Sequence, residues 1–244
     1  MTRTTDSSTG CRRCGACCAE GGPGLHGEDA ALFLGQDALP LSMLVAYRRG
    51  EPMRDQIKGI IAPLTREMLK IKSASGSRAC LFYDGRSRSC GLYDRRPAEC
   101  RALLCLDTSA LAAMYDADRL TRADLLPTGH PLRDVLAEHD ALTPPTRIAT
   151  LAEAFRAGGA AGQDALEELT RMVLADRAFR NALASRAGID AEYHDFFLGR
   201  DMAALLAAHG LALRDDAGTG FRIQTDPLWR AQGAAGTPIP RRRI

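Results

Sequence analysis

The sequence predicts an α+β protein that is predominantly α-helical, and three observations lead to that fold class. Two similar short runs at 80–84 and 90–94 favour a small β-hairpin with a five-residue loop. Apolar residues at helical spacing recur through most of the chain after residue 107 and predict a helical C-terminal extension. The segment 11–27 combines cysteines with five glycines and a proline, which is typical of a loop that something other than a hydrophobic core holds in place.

Helices are expected on both sides of the predicted hairpin in the first half of the chain. The longest has apolar residues at near-helical spacing from Met53 to Ile71, and Pro97 is suited to the first position of another. The predicted helices of this half are 28–34, 41–49, 53–71 and 97–104. The segment 73–78, with three serines and a glycine, is expected to be a turn.

The second half is predicted to be helical up to a short terminal hairpin, 211–213 with 221–224. Prolines and the run 158–162, expected to be a glycine-rich linker, separate the helices. The predicted helices are 108–117, 121–126, 131–141, 145–157, 163–186, 190–198 and 201–209. The expected organisation is a disordered N-terminus (1–10), a cysteine-cluster domain (11–107), a helical extension (108–225) and a tail (226–244).

Composition and charge exclude several classes of protein. The 244 residues are 45% hydrophobic and 25% charged, as in ordinary globular proteins, and no stretch approaches ~18 consecutive apolar residues. Because the N-terminus is polar and lacks an apolar signal region, we expect a cytoplasmic protein without a membrane partner. The net charge of +2 divides into +5 over 11–105 and −6 over 106–240. Few aromatic residues interleave with the arginines, which argues against a nucleic-acid partner.

All eight cysteines lie in the basic part of the chain, in two blocks. The first is CxxCxxCC and the second is C-x9-C-x9-C-x4-C. We expect all eight to bind metal, and they are Cys11, Cys14, Cys17, Cys18, Cys80, Cys90, Cys100 and Cys105.

Three explanations compete for such a set of cysteines. Disulfide frameworks are typical of short secreted chains, whereas this chain is long and shows no export signal. Two residues between cysteines is the usual spacing of structural zinc sites. Three cysteines at two-residue intervals also resemble the loop that wraps a [4Fe–4S] cluster. Since neighbouring side chains diverge, the adjacent Cys17 and Cys18 favour two centres or different atoms of one cluster. Zinc and iron–sulfur stay open, with a slight preference for iron–sulfur.

Other side chains near the cysteines are candidates for holding the same centre. Arg96 and Arg101 flank Cys100 and are expected to compensate the negative charge of a thiolate–metal centre. Tyr93 is a candidate for lining a pocket beside the cluster, although strand packing explains an aromatic residue there more readily. His26 is the histidine nearest the cysteines and is a further candidate ligand, whereas His139 and His194 are expected on helical surfaces.

These residues carry a resemblance to a known family. The segment CRRCGACC from Cys11, the run CLFY from Cys80 and the run CGLYDRRPAECR from Cys90 resemble the YkgJ-type CxxCxxCC cysteine-cluster family over 11–105. That family is described as zinc- or iron-chelating, so the resemblance implies a metal centre without implying a reaction. Flagellin lysine N-methylases have a similar cysteine pattern, which admits a methyltransferase, although no standard loop for S-adenosylmethionine is visible.

Two classes of function remain open at this point. In the first, an enzyme uses the centre for redox or Lewis-acid chemistry on a small molecule or protein held between the hairpin and the C-terminal helices. In the second, the metal is structural and the helices bind a protein partner. An enzyme would leave a coordination position open, whereas a structural module would close every site.

Overall fold

The computed structural model describes residues 11, 13–55, 57–104, 107–215 and 220–229. The expected disordered N-terminus, Cys105 and most of the expected tail lie outside the described residues. The fold is α+β and dominated by helices, with four small antiparallel strand pairs in the described part of the chain, so the predicted fold class is confirmed. Within that part, no helix is long and apolar enough to cross a membrane.

The first half differs from the prediction, because strands replace two of its expected helices. A short helix, α1, is followed by 3-10 turns at Gly27–Leu32 and Leu41–Met43. The elements in order are α1 (Ala16–Ala19), β1 (Leu44–Tyr47), β2 (Pro52–Asp55), β3 (Ile60–Pro63) and β4 (Met68–Ile71). Strand β1 pairs with β4, and β2 pairs with β3.

The helix expected over 53–71 is therefore wrong, and so is the one expected over 41–49. The chain turns back at Gly59, whose φ of 71° is a left-handed conformation that a helix interior does not accept. Pro63 lacks the N–H that a helix interior would need, and the isoleucines nearby favour strands. The apolar side chains whose spacing predicted a helix over 53–71 thus belong to three strands and the turns between them.

The cysteine-bearing hairpin was predicted correctly, with shorter strands. Strands β5 (Tyr83–Asp84) and β6 (Ser89–Cys90) pair antiparallel, with Tyr83 opposite Cys90. A 3-10 turn at Tyr93–Arg95 follows, and helix α2 (Ala98–Ala102) begins directly after Pro97. This order brings Cys90 and Cys100 close together in space.

The second half is helical as predicted, and it ends in the predicted hairpin. Its helices are α3 (Ser109–Met114), α4 (Arg122–Leu125), α5 (Leu132–Leu142), α6 (Pro145–Ala157), α7 (Gly159–Ala187), α8 (His194–Phe197) and α9 (Met202–Ala208). Strands β7 (Leu211–Arg214) and β8 (Arg222–Thr225) pair antiparallel. The linker expected at 158–162 is wrong, because α7 starts at Gly159 and only Gly158, at φ 75°, separates it from α6.

Two hydrophobic cores stabilise these elements. The first packs β1 and β4 against α4, α5 and α8, and it includes Leu25, Cys80 and Phe196. The second packs α6, α7, α9 and the terminal hairpin around Ile148 and Leu206. The first core thus extends from the cysteine-bearing segments into the helices after residue 107.

Buried charged side chains connect the strands to the helices. Arg122 pairs with Glu67 and Asp140 and donates to the Phe197 carbonyl. His139 and Asp176, whose side chains are 0% and 4% exposed, lie 3.0 Å apart between Nε2 and Oδ1. The expectation that His139 and His194 lie on helical surfaces is therefore wrong: both are buried, and sequence periodicity did not reveal the buried partner of His139, Asp176.

Candidate metal centre

Seven of the eight cysteines line one cavity of about 120 Å³. They come from the loop before α1, from α1 itself, from the β5–β6 hairpin region and from α2. The lining cysteines are Cys11, Cys14, Cys17, Cys18, Cys80, Cys90 and Cys100. The two blocks, more than 60 residues apart in sequence, therefore meet in one place, while Cys105 lies outside the described residues.

Backbone geometry holds the first block against the hairpin. Gly15 precedes α1 with φ 79°, and its α-carbon lies so close to the Tyr83 ring that a side chain there would overlap the hydroxyl group. Helix α1 carries Cys17 and Cys18, and the Cys80 N–H donates to the Cys18 carbonyl at 2.7 Å. These contacts fix the CxxCxxCC loop to the second block through main-chain atoms.

A buried carboxylate anchors the helix that carries Cys100. Asp29 accepts hydrogen bonds from the His26 N–H at 2.9 Å and from the Ala98 N–H, the first of α2, at 2.8 Å. Burial raises the pKa of Asp29, against the opposing effect of these N–H groups. A charged acceptor at the start of α2 complements the helix dipole there and fixes the direction in which Cys100 enters the cavity.

The seven described cysteines are free thiols. Cys17 Sγ and Cys18 Sγ lie 4.0 Å apart, far beyond a disulfide bond. Among the described residues, no three Cys, His, Asp or Glu side chains converge tightly enough to hold one metal ion. The thiols therefore surround the cavity instead of pointing to a single position within it.

Burial and mutual proximity make thiolates costly in this cavity. Burial raises the pKa of Cys18 to about 12, and the neighbouring Cys17 adds to the effect. Burial also raises the pKa values of Cys80 and Cys100, and nearby cysteines raise both further. A cation among the sulfurs would reverse this balance, because metal-bound thiols are deprotonated. The donor set therefore fits a thiophilic metal.

Two arginines stack on Tyr93 at the edge of the cavity. The guanidinium carbons of Arg13 and Arg96 lie 3.9 Å and 4.0 Å from the centre of the Tyr93 ring, and all three residues line the cavity. Arg13 belongs to the first cysteine block and Arg96 to the second, so the stack also joins the blocks. Of the candidates beyond the cysteines, Tyr93 and Arg96 lie at the cavity.

Arg101 and His26 have other contacts. Arg101 pairs with Glu28 at 2.7 Å and is outside the cavity lining. The His26 ring lies 2.8 Å from the Ala117 carbonyl oxygen through Nδ1 and 3.6 Å from a Glu99 oxygen through Nε2. His26 therefore supports Glu99 from outside the lining.

A part of the cavity wall without cysteines was missed in the sequence. It includes Met68, Lys70, Glu99 and Tyr115. Glu99 accepts from Arg119 and from the Gly24 N–H, and its pKa is lowered because His26 together with these two contacts outweighs its burial. Burial lowers the pKa of Lys70. In the sequence, only the rarity of lysine distinguished Lys70: the chain has three lysines among 32 basic residues.

A second cavity adjoins this wall. It lies between the β2–β3 hairpin and the segment after α3, and Met68 and Tyr115 line both cavities. Its charged lining residues are Arg54, Asp55, Lys58, Arg66, Asp116 and Arg119.

Comparison with known proteins concerns the cysteine-bearing part of the chain. No curated protein and no solved structure matches the chain. The model of the CxxCxxCC family, described as "Putative zinc- or iron-chelating domain", matches residues 10–116. Residues 10–116, which contain all eight cysteines, thus match the CxxCxxCC family, and the resemblance expected from the sequence is confirmed over that range.

Proposed function

We propose that the cysteine cavity holds a thiolate-bound iron–sulfur cluster. The observation that carries the proposal is that seven thiols from two distant blocks of sequence line one undivided cavity. Ordinary core packing explains a single buried cysteine, but it does not explain this concentration of thiols.

The arrangement of the sulfurs favours a centre with several metal atoms. A single tetrahedral zinc ion takes four ligands that converge on one point. Here more than four thiols surround the space, and no three described donors of the kind that bind metals converge. A cluster presents several iron atoms to ligands that lie further apart, and three cysteines at two-residue intervals suit it.

The basic side chains around the cavity support the same proposal. Arg13 and Arg96 are held by the Tyr93 ring, and Arg88 lies in the same lining. An oxidised cluster with four thiolates carries a formal charge of about −2, so fixed guanidinium groups beside it would stabilise the loaded state.

Zinc is the second candidate, because one distance favours it. Two thiolates bound to one tetrahedral ion at about 2.3 Å are roughly 3.8 Å apart, and Cys17 Sγ and Cys18 Sγ lie 4.0 Å apart. In a zinc protein these neighbours would share an ion, and the centre would be structural. We also propose a reducing compartment such as the cytoplasm, which the free state of the seven described cysteines supports.

The test is anaerobic purification of the full chain, followed by iron, zinc and acid-labile sulfide determination and visible absorption spectroscopy. The proposal expects a brown protein that contains iron and sulfide in equal amounts. Cys17→Ser should lose metal and thermal stability together, since site formation and folding are coupled. Ser89→Ala, at a cavity-lining position without a thiol, is the matched control and should retain both. A colourless protein with stoichiometric zinc would contradict the cluster.

A further inference from the structure

Lys70 is a half-buried cation in the cavity wall without a bound counter-ion. It lies on β4, between the buried Leu69 and Ile71, and lines the same cavity as the cysteines. In the described part of the chain, no acceptor is within hydrogen-bond or ion-pair distance of its ammonium group. Glu99, the carboxylate whose charge acts on Lys70, already accepts from Arg119 and from the Gly24 N–H.

The other two lysines of the chain both pair with carboxylates. Lys58 Nζ lies 3.2 Å from Asp55. Lys72, two residues after Lys70, lies 2.9 Å from Asp195 and donates to the Glu192 carbonyl at 2.8 Å. Removing an ammonium group from water without a partner is costly. The Lys70 position is therefore explained if an anion enters the cavity and pairs with it.

Apart from Glu99, which is paired with Arg119, the wall around Lys70 is largely apolar. Met68, Leu103, Leu111 and the ring of Tyr115 line the cavity together with Lys70, and Leu111 is buried. Ligand sites commonly combine apolar walls with a few polar groups that fix the orientation. This part of the wall therefore fits the body of a small organic molecule.

We propose that the cysteine cavity also binds a small organic carboxylate, whose carboxylate group pairs with Lys70 and whose apolar body packs against Met68, Leu111 and Tyr115. The proposal rests on the proposed function, since it gives the class of ligand that meets the metal centre. Of the neighbouring guanidinium groups, those of Arg13 and Arg96 stack on Tyr93 and that of Arg119 pairs with Glu99, while Arg88 is exposed in the β5–β6 loop. Lys70 is the cation of the apolar part of the wall, and a single ammonium group there suits a monoanion better than a phosphate ester.

The test uses the anaerobically purified full chain, with its metal content measured on the same sample, and 4-fluorobenzoate as the probe. Binding is followed by fluorine NMR titration. We expect saturable binding to the wild type and a loss of affinity of about tenfold or more in Lys70→Met, because a charged hydrogen bond is lost. Lys72→Met removes a paired lysine from the same segment and is expected to bind as the wild type does. Lys70→Arg keeps the charge and should restore most of the binding.

A wild-type measurement guards against a variant that fails to fold. With methyl-labelled methionine, 4-fluorobenzoate should shift the Met68 methyl signal, since Met68 lines the cavity, and leave that of Met202 in the second core unchanged.

Each outcome bears on one of the two proposals. A metal-loaded wild type that does not bind 4-fluorobenzoate overturns the carboxylate site alone. Equal binding by Lys70→Met, or binding without a shift of Met68, overturns it as well. A protein isolated without metal overturns the proposed function, and the carboxylate site falls with it.

Discussion

At the scale of single residues, Gly15 determines whether the two cysteine blocks can meet. Its φ of 79° is a backbone conformation that residues other than glycine rarely adopt. The Tyr83 ring also occupies the space that a β-carbon at this position would take. Gly15 therefore allows the loop to turn into α1 and to lie against the hairpin at the same time. In this chain, the CxxCxxCC motif therefore needs a glycine at position 15 as well as its cysteines.

Gly15→Ala is expected to lose bound metal and to lower the melting temperature. The added methyl group forces Tyr83 away, and the left-handed conformation costs roughly 1–2 kcal/mol. Gly35→Ala is the matched control: Gly35 has φ 99°, but open space surrounds its β-carbon position. The control should show the conformational cost without metal loss. Equal metal content in both variants, measured by elemental analysis, would contradict the role given to Gly15.

Asp176 gives the fold a predicted pH dependence. Burial alone would raise its pKa, but hydrogen bonds with His139 and Arg180 lower it from the ordinary 3.8 to about 2. A carboxylate with a lower pKa in the folded state contributes stability above about pH 4, and the contribution is lost as the pH falls towards 2. It corresponds to about 2–3 kcal/mol at neutral pH.

Asp176→Asn should therefore destabilise the protein at pH 7 and by only about half as much near pH 3, measured as the free energy of unfolding in denaturant. Glu168→Gln is the control, because Glu168 pairs with Arg147 at the surface and such pairs contribute about 0–1 kcal/mol. A constant difference between wild type and Asp176→Asn from pH 7 to pH 3 would contradict the assignment.

At the scale of elements, the sequence predicted the segments whose signals are local. The hairpin that carries Cys90 has two similar runs and a short loop, and α6 begins at Pro145, so both were found. Strands β1 to β4 were missed for two reasons: β1 pairs with β4 more than 20 residues away, and the near-helical spacing of apolar residues concealed the local β2–β3 hairpin. The cysteines were identified by spacing alone, whereas Lys70 needed the tertiary structure.

The junction of α6 and α7 is the element at which the structure differs most clearly from the sequence-based prediction, because a helix replaces the expected linker. Its close packing gives a prediction. Gly162 is buried, and a β-carbon there would lie 3.2 Å from the Ala154 carbonyl oxygen. Gly162→Leu should overpack the contact between the two helices and cost about 1–3 kcal/mol, seen as a lower melting temperature. Ala161→Leu adds the same side chain at the adjacent exposed position and should be close to neutral. Equal melting temperatures for the two variants would contradict the close approach.

At the scale of the whole molecule, the cysteine site and the helical part share one hydrophobic core. Cys80 belongs to the core that also contains Leu136 and Phe196 of the helices. Loss of the metal centre is therefore expected to weaken packing beyond the cysteine loops. The net charge would change as well, because four thiolates around one cluster with a core charge of +2 would take the chain from +2 to about 0. The basic first part would then partly balance its own centre.

The central claim is that thiolates from both cysteine blocks bind one metal centre, and X-ray absorption at the metal edge of the anaerobically purified protein tests it most directly. The account predicts a first shell of sulfur at about 2.3 Å, with further scattering from neighbouring metal atoms. Cys80→Ser and Cys17→Ser, one from each block, should each reduce that sulfur shell or the metal content. A first shell dominated by nitrogen and oxygen would contradict the account.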